Sequence, residues 1–203
     1  GKVLKRYIPE GLKLEDTDYP VAHVLPAIYG KTKINRGLEG LALSNDEKTL
    51  YIVLQSPLLN PDRKTGNASR NTRMLVFDIG TEKVTAEYVY RFDVSSEFDP
   101  NLKNRPDEMK LSGVAFLNSS TLLVLERTDS VAKLYSVDIS KARTFLTLDG
   151  TTPRRLPLLR PSTTRRPRKC ASYRSRSCSV SALYTAYPRK SKEWQYSTGI
   201  PSR

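Results

Sequence analysis

The sequence predicts an all-β fold of the β-propeller type, with about two four-stranded blades of a larger propeller followed by a disordered basic tail. Three observations lead to this prediction. A strand pattern occurs twice, the strands are short and separated by polar turns, and the charge changes abruptly near residue 150. Internal repetition of a fixed pattern is typical of stacked or radial architectures, in which each unit buries its apolar face against the next.

The first unit begins at residues 37–56 with two short strands around a polar turn, and a similar pair follows at residues 111–127. The corresponding strands are Gly40–Leu43 with Gly113–Phe116, and Leu50–Gln55 with Leu122–Arg127. Runs this short, rich in Val, Ile, Leu and Tyr and bounded by Gly, Asn and Asp, indicate strands rather than helices.

Each unit continues with two further predicted strands. The third strands are Arg73–Ile79 and Ala132–Ile139, and the fourth strands are Val84–Phe92 and Thr144–Leu148. Four short strands joined by turns make one propeller blade. Val3–Ile8 is predicted to be the outer strand of a preceding blade.

The charge distribution divides the chain into two parts. Residues 151–203 contain 13 Lys and Arg and one acidic residue, whereas residues 1–150 are almost neutral. We therefore predict a partial propeller domain at residues 1–150 and an Arg/Ser/Pro-rich tail at residues 151–203. The basic character of the whole chain belongs to the tail.

Two explanations of the tail stay open. It is either a disordered arm that binds nucleic acid through phosphate contacts, or the out-of-frame translation of a segment that encodes a third blade. A one-base shift of the codons for residues 190–196 permits the reading Val-Glu-Gly-Met-Ala-Ile, which is similar to Leu38–Leu43. This favours the frameshift, and the coding DNA for residues 148–203 would decide between the two.

Length and composition limit the function further. About 150 foldable residues provide roughly two blades, fewer than the 4–8 that propellers typically need. We therefore expect an internal fragment of a longer protein, without a closed ring and without activity on its own. No run of 18 apolar residues is present, so no membrane span is predicted. Both cysteines, Cys170 and Cys178, lie in the tail and give no evidence of a disulfide framework.

Several segments resemble the phytase-like domain family described by the esterase-like activity of phytase. They are Arg6–Leu12, Tyr19–Ala22, Leu25–Ala27, Asn35–Ser44, Leu54–Leu58, Arg105–Lys110 and Val124–Arg127, between residues 3 and 153. The resemblance implies a propeller fold, phosphoester hydrolysis, and a secreted or periplasmic location. The implied substrate is a phosphorylated small molecule or a phosphodiester.

Phosphoester hydrolysis by such a domain suggests a divalent cation, Ca²⁺ above all, because carboxylate oxygens suit hard cations and a bound cation activates water. The candidate metal ligands are Glu39, Asp107, Glu108 and Glu126. Glu39 opens an inner strand and Glu126 ends the second strand of the next unit, so these two are also the candidate catalytic residues. The candidate substrate-binding residues are Arg36, Arg105 and Arg127, because guanidinium groups match phosphate in a bidentate manner.

Structural roles are the alternative for these residues. Glu39 could cap a strand or pair with Arg36, and Glu126 with Arg127 could be an ordinary surface pair. At the level of function, three hypotheses stay open: a metal-dependent phosphoesterase, a non-catalytic propeller that binds a ligand or protein, and a nucleic-acid binder that acts through the basic tail.

Overall fold

The computed structural model describes residues 1–140, Ala142 and Thr144, together with a two-residue strand at Thr185–Ala186. This part of the chain is mostly β structure and forms three sheets, none of which closes on itself. The all-β class predicted from the sequence is confirmed, and the propeller stays a prediction. Apart from that short strand, the tail predicted at residues 151–203 lies outside the described residues.

The described chain contains ten strands and five short helices. The strands are β1 (Arg6–Pro9), β2 (Val21–Leu25), β3 (Leu38–Leu43), β4 (Thr49–Leu54), β5 (Asn71–Asp78), β6 (Lys83–Arg91), β7 (Lys110–Asn118), β8 (Thr121–Arg127), β9 (Val131–Asp138) and β10 (Thr185–Ala186). The helices are α1 (Arg63–Ala68), α2 (Ser95–Phe98) and three 3₁₀ helices at Ala27–Lys31, Pro100–Leu102 and Pro106–Glu108.

The first four-stranded sheet is an antiparallel meander in which β3, β4, β5 and β6 pair in chain order. Its four strands correspond to the four strands predicted for the first unit. Along β4, Tyr51 and Val53 are buried while Ile52 between them is half-buried, as expected when successive side chains point to opposite faces of a sheet.

The second sheet repeats this order with β7, β8 and β9, and β10 pairs with the outer edge of β9 at Val131 and Ala132. The predicted third strand corresponds to β9. The fourth strand predicted at residues 144–148 falls outside the described residues, except for Thr144, which is not part of a strand.

The two meanders stack face to face, and the main core lies between them. Tyr51 and Val53 of the first sheet belong to the same buried cluster as Leu122 and Val124 of the second. The rings of Tyr51 and Phe116 stack with their centroids 5.6 Å apart. The inner strands of the two sheets, β3 and β7, are neighbours, so the chain places equivalent strands side by side.

The strand predicted at residues 3–8 overlaps β1, which begins at Arg6, and its partner was not predicted. β1 pairs in parallel with β2 instead of antiparallel within a meander. The pair packs on the first sheet opposite the second, where the Tyr7 ring lies 5.1 Å from the Phe77 ring. A second buried cluster, which includes Leu25 and Leu75, joins it to that sheet.

Candidate functional site

A tight turn before β3 brings two basic side chains to one pocket. The backbone amide of Arg36 donates to the carbonyl of Lys33 at 3.1 Å. Asn35 inside the turn has a φ of +56°, a conformation that asparagine adopts more readily than most residues. Lys33 and Arg36 consequently lie at the same end of the two sheets as the connection that enters β7.

The pocket at this turn has a volume of about 280 Å³ and carries three cationic groups. It is lined by Thr32, Lys33, Ile34, Arg36, Leu59, Arg63, Asn67 and Asp107. Three positive groups against one carboxylate favour an anionic ligand. We call this feature the basic pocket.

Helix α1 supplies Arg63 and Asn67, and its position depends on a close approach to the preceding chain. The Asp62 carboxylate accepts a hydrogen bond from the backbone amide of Thr65 at 2.8 Å and caps the helix. At Gly66, a β carbon would lie 2.5 Å from the carbonyl oxygen of Leu58. The helix therefore lies against residue 58 at a distance that only glycine permits.

Replacing Gly66 by alanine should push α1 away from this backbone. Although alanine normally favours a helix interior by about 1 kcal/mol over glycine, the clash is with a carbonyl group and should cost more, giving a net loss of roughly 1–2 kcal/mol. Urea unfolding measures the loss. Gly37→Ala is the matched control because a β carbon at Gly37 meets nothing within 4 Å; equal stability of the two variants would contradict the prediction.

The charges of the basic pocket act on one another. Burial lowers the pKa of the Lys33 ammonium, and the Arg36 guanidinium lowers it further. Asp107 and Glu108 oppose this effect, while Arg63 adds to it. Within the described residues, no carboxylate forms an ion pair with Lys33 or Arg63, so these two cations are available to a ligand.

The carboxylates of the 3₁₀ helix Pro106–Glu108 lie beside the pocket. Arg36 donates hydrogen bonds to the Asp107 carbonyl oxygen and to the Ser56 hydroxyl, the latter at 3.3 Å. The Glu108 carboxylate pairs with Arg105 and lies 3.9 Å from the Arg36 guanidinium. Four of the seven residues singled out in the sequence therefore come together here.

Arg127 lies at the end of β8, at the same end of the two sheets as the basic pocket. We call this end of the sheets the rim. Its Nε donates to the Ser112 hydroxyl at 2.7 Å, and its guanidinium lies 3.5 Å from the Asp129 carboxylate. The Lys110 ammonium donates to Asp129 at 2.6 Å. Hydrogen bonding to Lys110, followed by the charges of Lys110, Arg127 and Arg36, lowers the pKa of the Asp129 carboxyl. The positive charge of Arg36 therefore helps to stabilise the ionised form of Asp129.

Glu126 does not face this rim. Its side chain is fully buried inside the core, where it accepts hydrogen bonds from the Tyr90 hydroxyl at 2.9 Å and from the Asp93 amide at 2.8 Å. Burial raises its pKa to about 8. Residues 126 and 127 point to opposite faces of β8. Glu126 therefore lies in the core, although its neighbour Arg127 does not.

Glu39 is also separate from the rim. It is exposed on the opposite side of the first sheet, in a groove that Lys5 and Arg6 also line. In the described part of the chain, no three His, Cys, Asp or Glu side chains form a group that could hold a metal ion. Ca²⁺ takes six to eight oxygen ligands, so the described residues do not fit the calcium site predicted from Glu39, Asp107, Glu108 and Glu126.

Sequence reasoning missed Lys33, Arg63, Lys110 and Asp129. The turn signal of Asn35 could have indicated that Lys33 and Arg36 approach each other. Arg63 lies between the predicted second and third strands of the first unit, and no local signal shows that α1 packs against residues 58–59.

Comparisons with known proteins bear on what this site does. The sequence model of a family described as "Phytase-like: Esterase-like activity of phytase" matches residues 1–172. The match continues past residue 153, where the resemblance noted in the sequence ended.

A curated fungal protein from Arthroderma benhamiae, described as an "Uncharacterized secreted protein", is 32% identical to this chain over 105 residues. The alignment covers 49% of this chain and 20% of that protein, so the chain spans about a fifth of its relative's length. No solved structure matches. In the described residues, no helix is long and apolar enough to cross a membrane.

Proposed function

The chain belongs to the phytase-like family described by the esterase-like activity of phytase, and we propose that it forms part of a phosphoester hydrolase whose basic pocket binds the phosphate group of the substrate. The observation that carries this proposal is the convergence of Lys33, Arg36 and Arg63 on one pocket. The family suggests a phosphatase-like hydrolase, and the activity of the complete protein is part of the proposal.

The chemistry of the pocket suits a phosphate group. A guanidinium offers paired donors that match two phosphate oxygens, and an ammonium adds a compact positive charge. Arg36 is held by the Asp107 carbonyl and Ser56, so less conformational freedom is lost when it binds a ligand. Asp107 is the one carboxylate among the residues that line this pocket, and we assign it the role of accepting a proton from the attacking water.

The predicted propeller fits the same proposal. Two successive four-stranded meanders, with inner strands β3 and β7 side by side, have the strand order expected of neighbouring blades. The basic pocket then lies at one end of the blades, among their connecting loops, where binding residues commonly lie. Secretion is proposed as well, on the description of the fungal relative.

Removal of the pocket cations should weaken phosphate binding. Arg63→Ala and Lys33→Ala should each raise the Kd for inorganic phosphate roughly tenfold, about 1.4 kcal/mol, because each removes a charge-assisted hydrogen bond. Isothermal titration calorimetry measures the Kd. Lys64→Ala is the matched control: Lys64 is an exposed cation on the same helix and does not line the pocket. Equal effects of Arg63→Ala and Lys64→Ala would contradict the proposal.

Hydrolysis is tested separately on the complete protein with p-nitrophenyl phosphate and bis(p-nitrophenyl) phosphate, with and without a chelator. Release of p-nitrophenol that Asp107→Asn abolishes would support the hydrolase, and loss of activity with the chelator would support the metal dependence predicted from the sequence. Phosphate binding without hydrolysis of either compound would favour the non-catalytic binding protein instead.

A further inference from the structure

The turn that carries Lys33 and Arg36 ends in an apolar side chain that no described residue covers. Lys33 and Arg36 form an antiparallel bridge, and Ile34 and Asn35 are the two residues between them. Ile34 is 92% exposed, the largest exposed fraction of any large apolar side chain in the part of the chain that the structure describes. Gly, Pro, Asn, Asp and Ser are the usual residues of such turns. A β-branched apolar residue here breaks the local rule, and such departures are expected at functional positions.

Ile34 lies at the basic pocket and not on an open face of a sheet. It lines the pocket together with Leu59, which adds a second apolar group. The other walls are α1, in the connection between β4 and β5, and Asp107, in the connection that enters β7. The turn therefore lies where connections of both sheets meet, at the ends of the strands. Because blades stack face to face, as these two sheets do, a further blade would cover a sheet face and not this end.

The surroundings of this turn are predominantly cationic. Basic side chains lie in or beside the pocket at five positions: Lys31, Lys33, Arg36, Arg63 and Lys64. Lys31 lies against the pocket wall, since its carbonyl oxygen accepts a hydrogen bond from the Leu59 amide at 2.8 Å, and its side chain is exposed. Of the nearby carboxylates, Asp62 caps α1 and Glu108 is engaged in ion pairs, which leaves Asp107 in the pocket. The patch therefore keeps a net positive charge.

An apolar tip beside a cationic pocket matches the surface of an anionic membrane. Lys and Arg clusters are attracted to anionic headgroups, and an exposed apolar side chain gains free energy when it enters the boundary between headgroups and acyl chains. Salt screens the charge attraction, and stable attachment usually takes two signals together. A phosphate ester free in solution would use the cations and leave Ile34 in water. The combination of both features therefore favours a lipid over a soluble ligand.

We propose that the phosphate group held in the basic pocket belongs to an anionic phospholipid of a membrane surface, with Ile34 inserted into the apolar layer beside it. The inference rests on the proposed function in one respect, the binding of phosphate by the pocket cations Lys33, Arg36 and Arg63. It adds the substrate class: the phosphate ester is carried by a lipid, and the chain docks on the membrane through the turn at residues 33–36. The exposed ammonium groups of Lys31 and Lys64 then lie among neighbouring headgroups.

A fluorescent label at residue 34 of the full chain tests the proposal. Cys170→Ser and Cys178→Ser remove both cysteines of the chain, and Ile34→Cys then carries the environment-sensitive label nitrobenzoxadiazole. Phosphatidylcholine vesicles that contain phosphatidic acid should shift its emission to the blue and raise its intensity, and vesicles of phosphatidylcholine alone should not. The matched control is the same label at Leu117→Cys: Leu117 is an exposed apolar residue at the other end of β7, so this label should not respond.

The readout is local for a reason. The basic residues of the segment 151–203 would hold the chain near an anionic surface by charge alone, so co-sedimentation with vesicles does not separate the turn from the tail. A label at residue 34 changes its emission only when the turn itself enters an apolar environment.

Dependence on the pocket gives a second readout. In the protein labelled at residue 34, Arg63→Ala should raise the lipid concentration for half of the change roughly tenfold, because a phosphate contact is lost. Lys48→Ala should leave it unchanged, since Lys48 is an exposed cation in the turn between β3 and β4, at the other end of the sheet. Inorganic phosphate should reverse the change more strongly than sodium chloride at equal ionic strength. Circular dichroism confirms that each variant is folded.

The outcomes separate this proposal from the function on which it rests. A label that does not respond, in a protein that binds inorganic phosphate by calorimetry, would overturn the lipid proposal, leave the proposed function standing and make a protein surface the occupant to test. Absence of phosphate binding would overturn both. A response that Arg63→Ala does not weaken, or that phosphatidylcholine alone produces equally, would show apolar contact without phosphate recognition and would also overturn the proposal.

Discussion

The variant Gly40→Ala should lose roughly 2–3 kcal/mol of its free energy of unfolding. A β carbon at Gly40 would lie 2.5 Å from Cγ2 of Val53 and 3.2 Å from the backbone of Gly113. Val53 is fully buried, and its branched side chain has few alternative rotamers in a packed core. The clash therefore has to be relieved by moving Val53 or by separating β3 from β4, and the close approach of Gly113 on β7 leaves β3 little room to shift.

Gly113→Ala is the matched control, because the repeat alignment makes Gly113 the equivalent of Gly40. A β carbon there would meet Leu125 at 3.6 Å, which is an ordinary contact, so the stability of the monomer should change by less than about 0.5 kcal/mol. Urea unfolding at low protein concentration, followed by circular dichroism, compares the two. Equal losses would mean that the crowding of Gly40 by Val53 and by the Gly113 backbone does not limit stability.

The same pair of glycines shows what sequence reasoning can and cannot supply. The repeat predicted the strands of the first sheet, because alternation and turn residues are local signals. It also made the two glycines look alike. Val53 and the backbone of Gly113 crowd Gly40, whereas Gly113 meets only Leu125. The contact between Gly40 and Gly113 joins residues 73 positions apart and has no local signature. The parallel β1–β2 pair was missed for the same reason.

The part of the candidate site that lies in one connection of the chain was predicted from the sequence. Arg105, Asp107 and Glu108 lie together in the connection before β7, and the structure brings them to Arg36. Glu39 and Glu126 were grouped with them by their positions at strand ends. Strand alternation and the stacking of the sheets separate them, since Glu126 points into the core and Glu39 lies on the opposite side.

Glu126 instead controls how stability depends on pH. Its carboxyl group is buried between Tyr90 and the Asp93 amide. Its cross-strand neighbour is Lys133, which is also buried and lies with its ammonium 4.3 Å from the centre of the Phe98 ring. Burial raises the pKa of Glu126 to about 8, and the Asp93 charge adds to this, while the Asp93 amide, Tyr90 and Lys133 lower it. Burial dominates, so the folded protein holds this proton at neutral pH.

The sign of the pH effect follows from this pKa. An unfolded glutamate has a pKa of about 4.3, so between roughly pH 5 and pH 8 the folded state binds more protons at this group than the unfolded state. The contribution of Glu126 to the free energy of unfolding should therefore be largest at low pH and fall as pH rises, by up to roughly 1 kcal/mol per pH unit, and level off above about pH 8. Urea unfolding at a series of pH values measures this slope.

Glu126→Gln separates the ionisation from the packing. The amide keeps the size of the side chain, can accept from the Asp93 amide, and can donate to the Tyr90 hydroxyl oxygen. It should match wild type near pH 5, remove most of the slope, and exceed wild type in stability at pH 8. Glu126→Ala should instead lose roughly 2–4 kcal/mol at pH 5, because it leaves a cavity and two unpaired buried groups. A Gln variant that keeps the wild-type slope would show that another group titrates in this range.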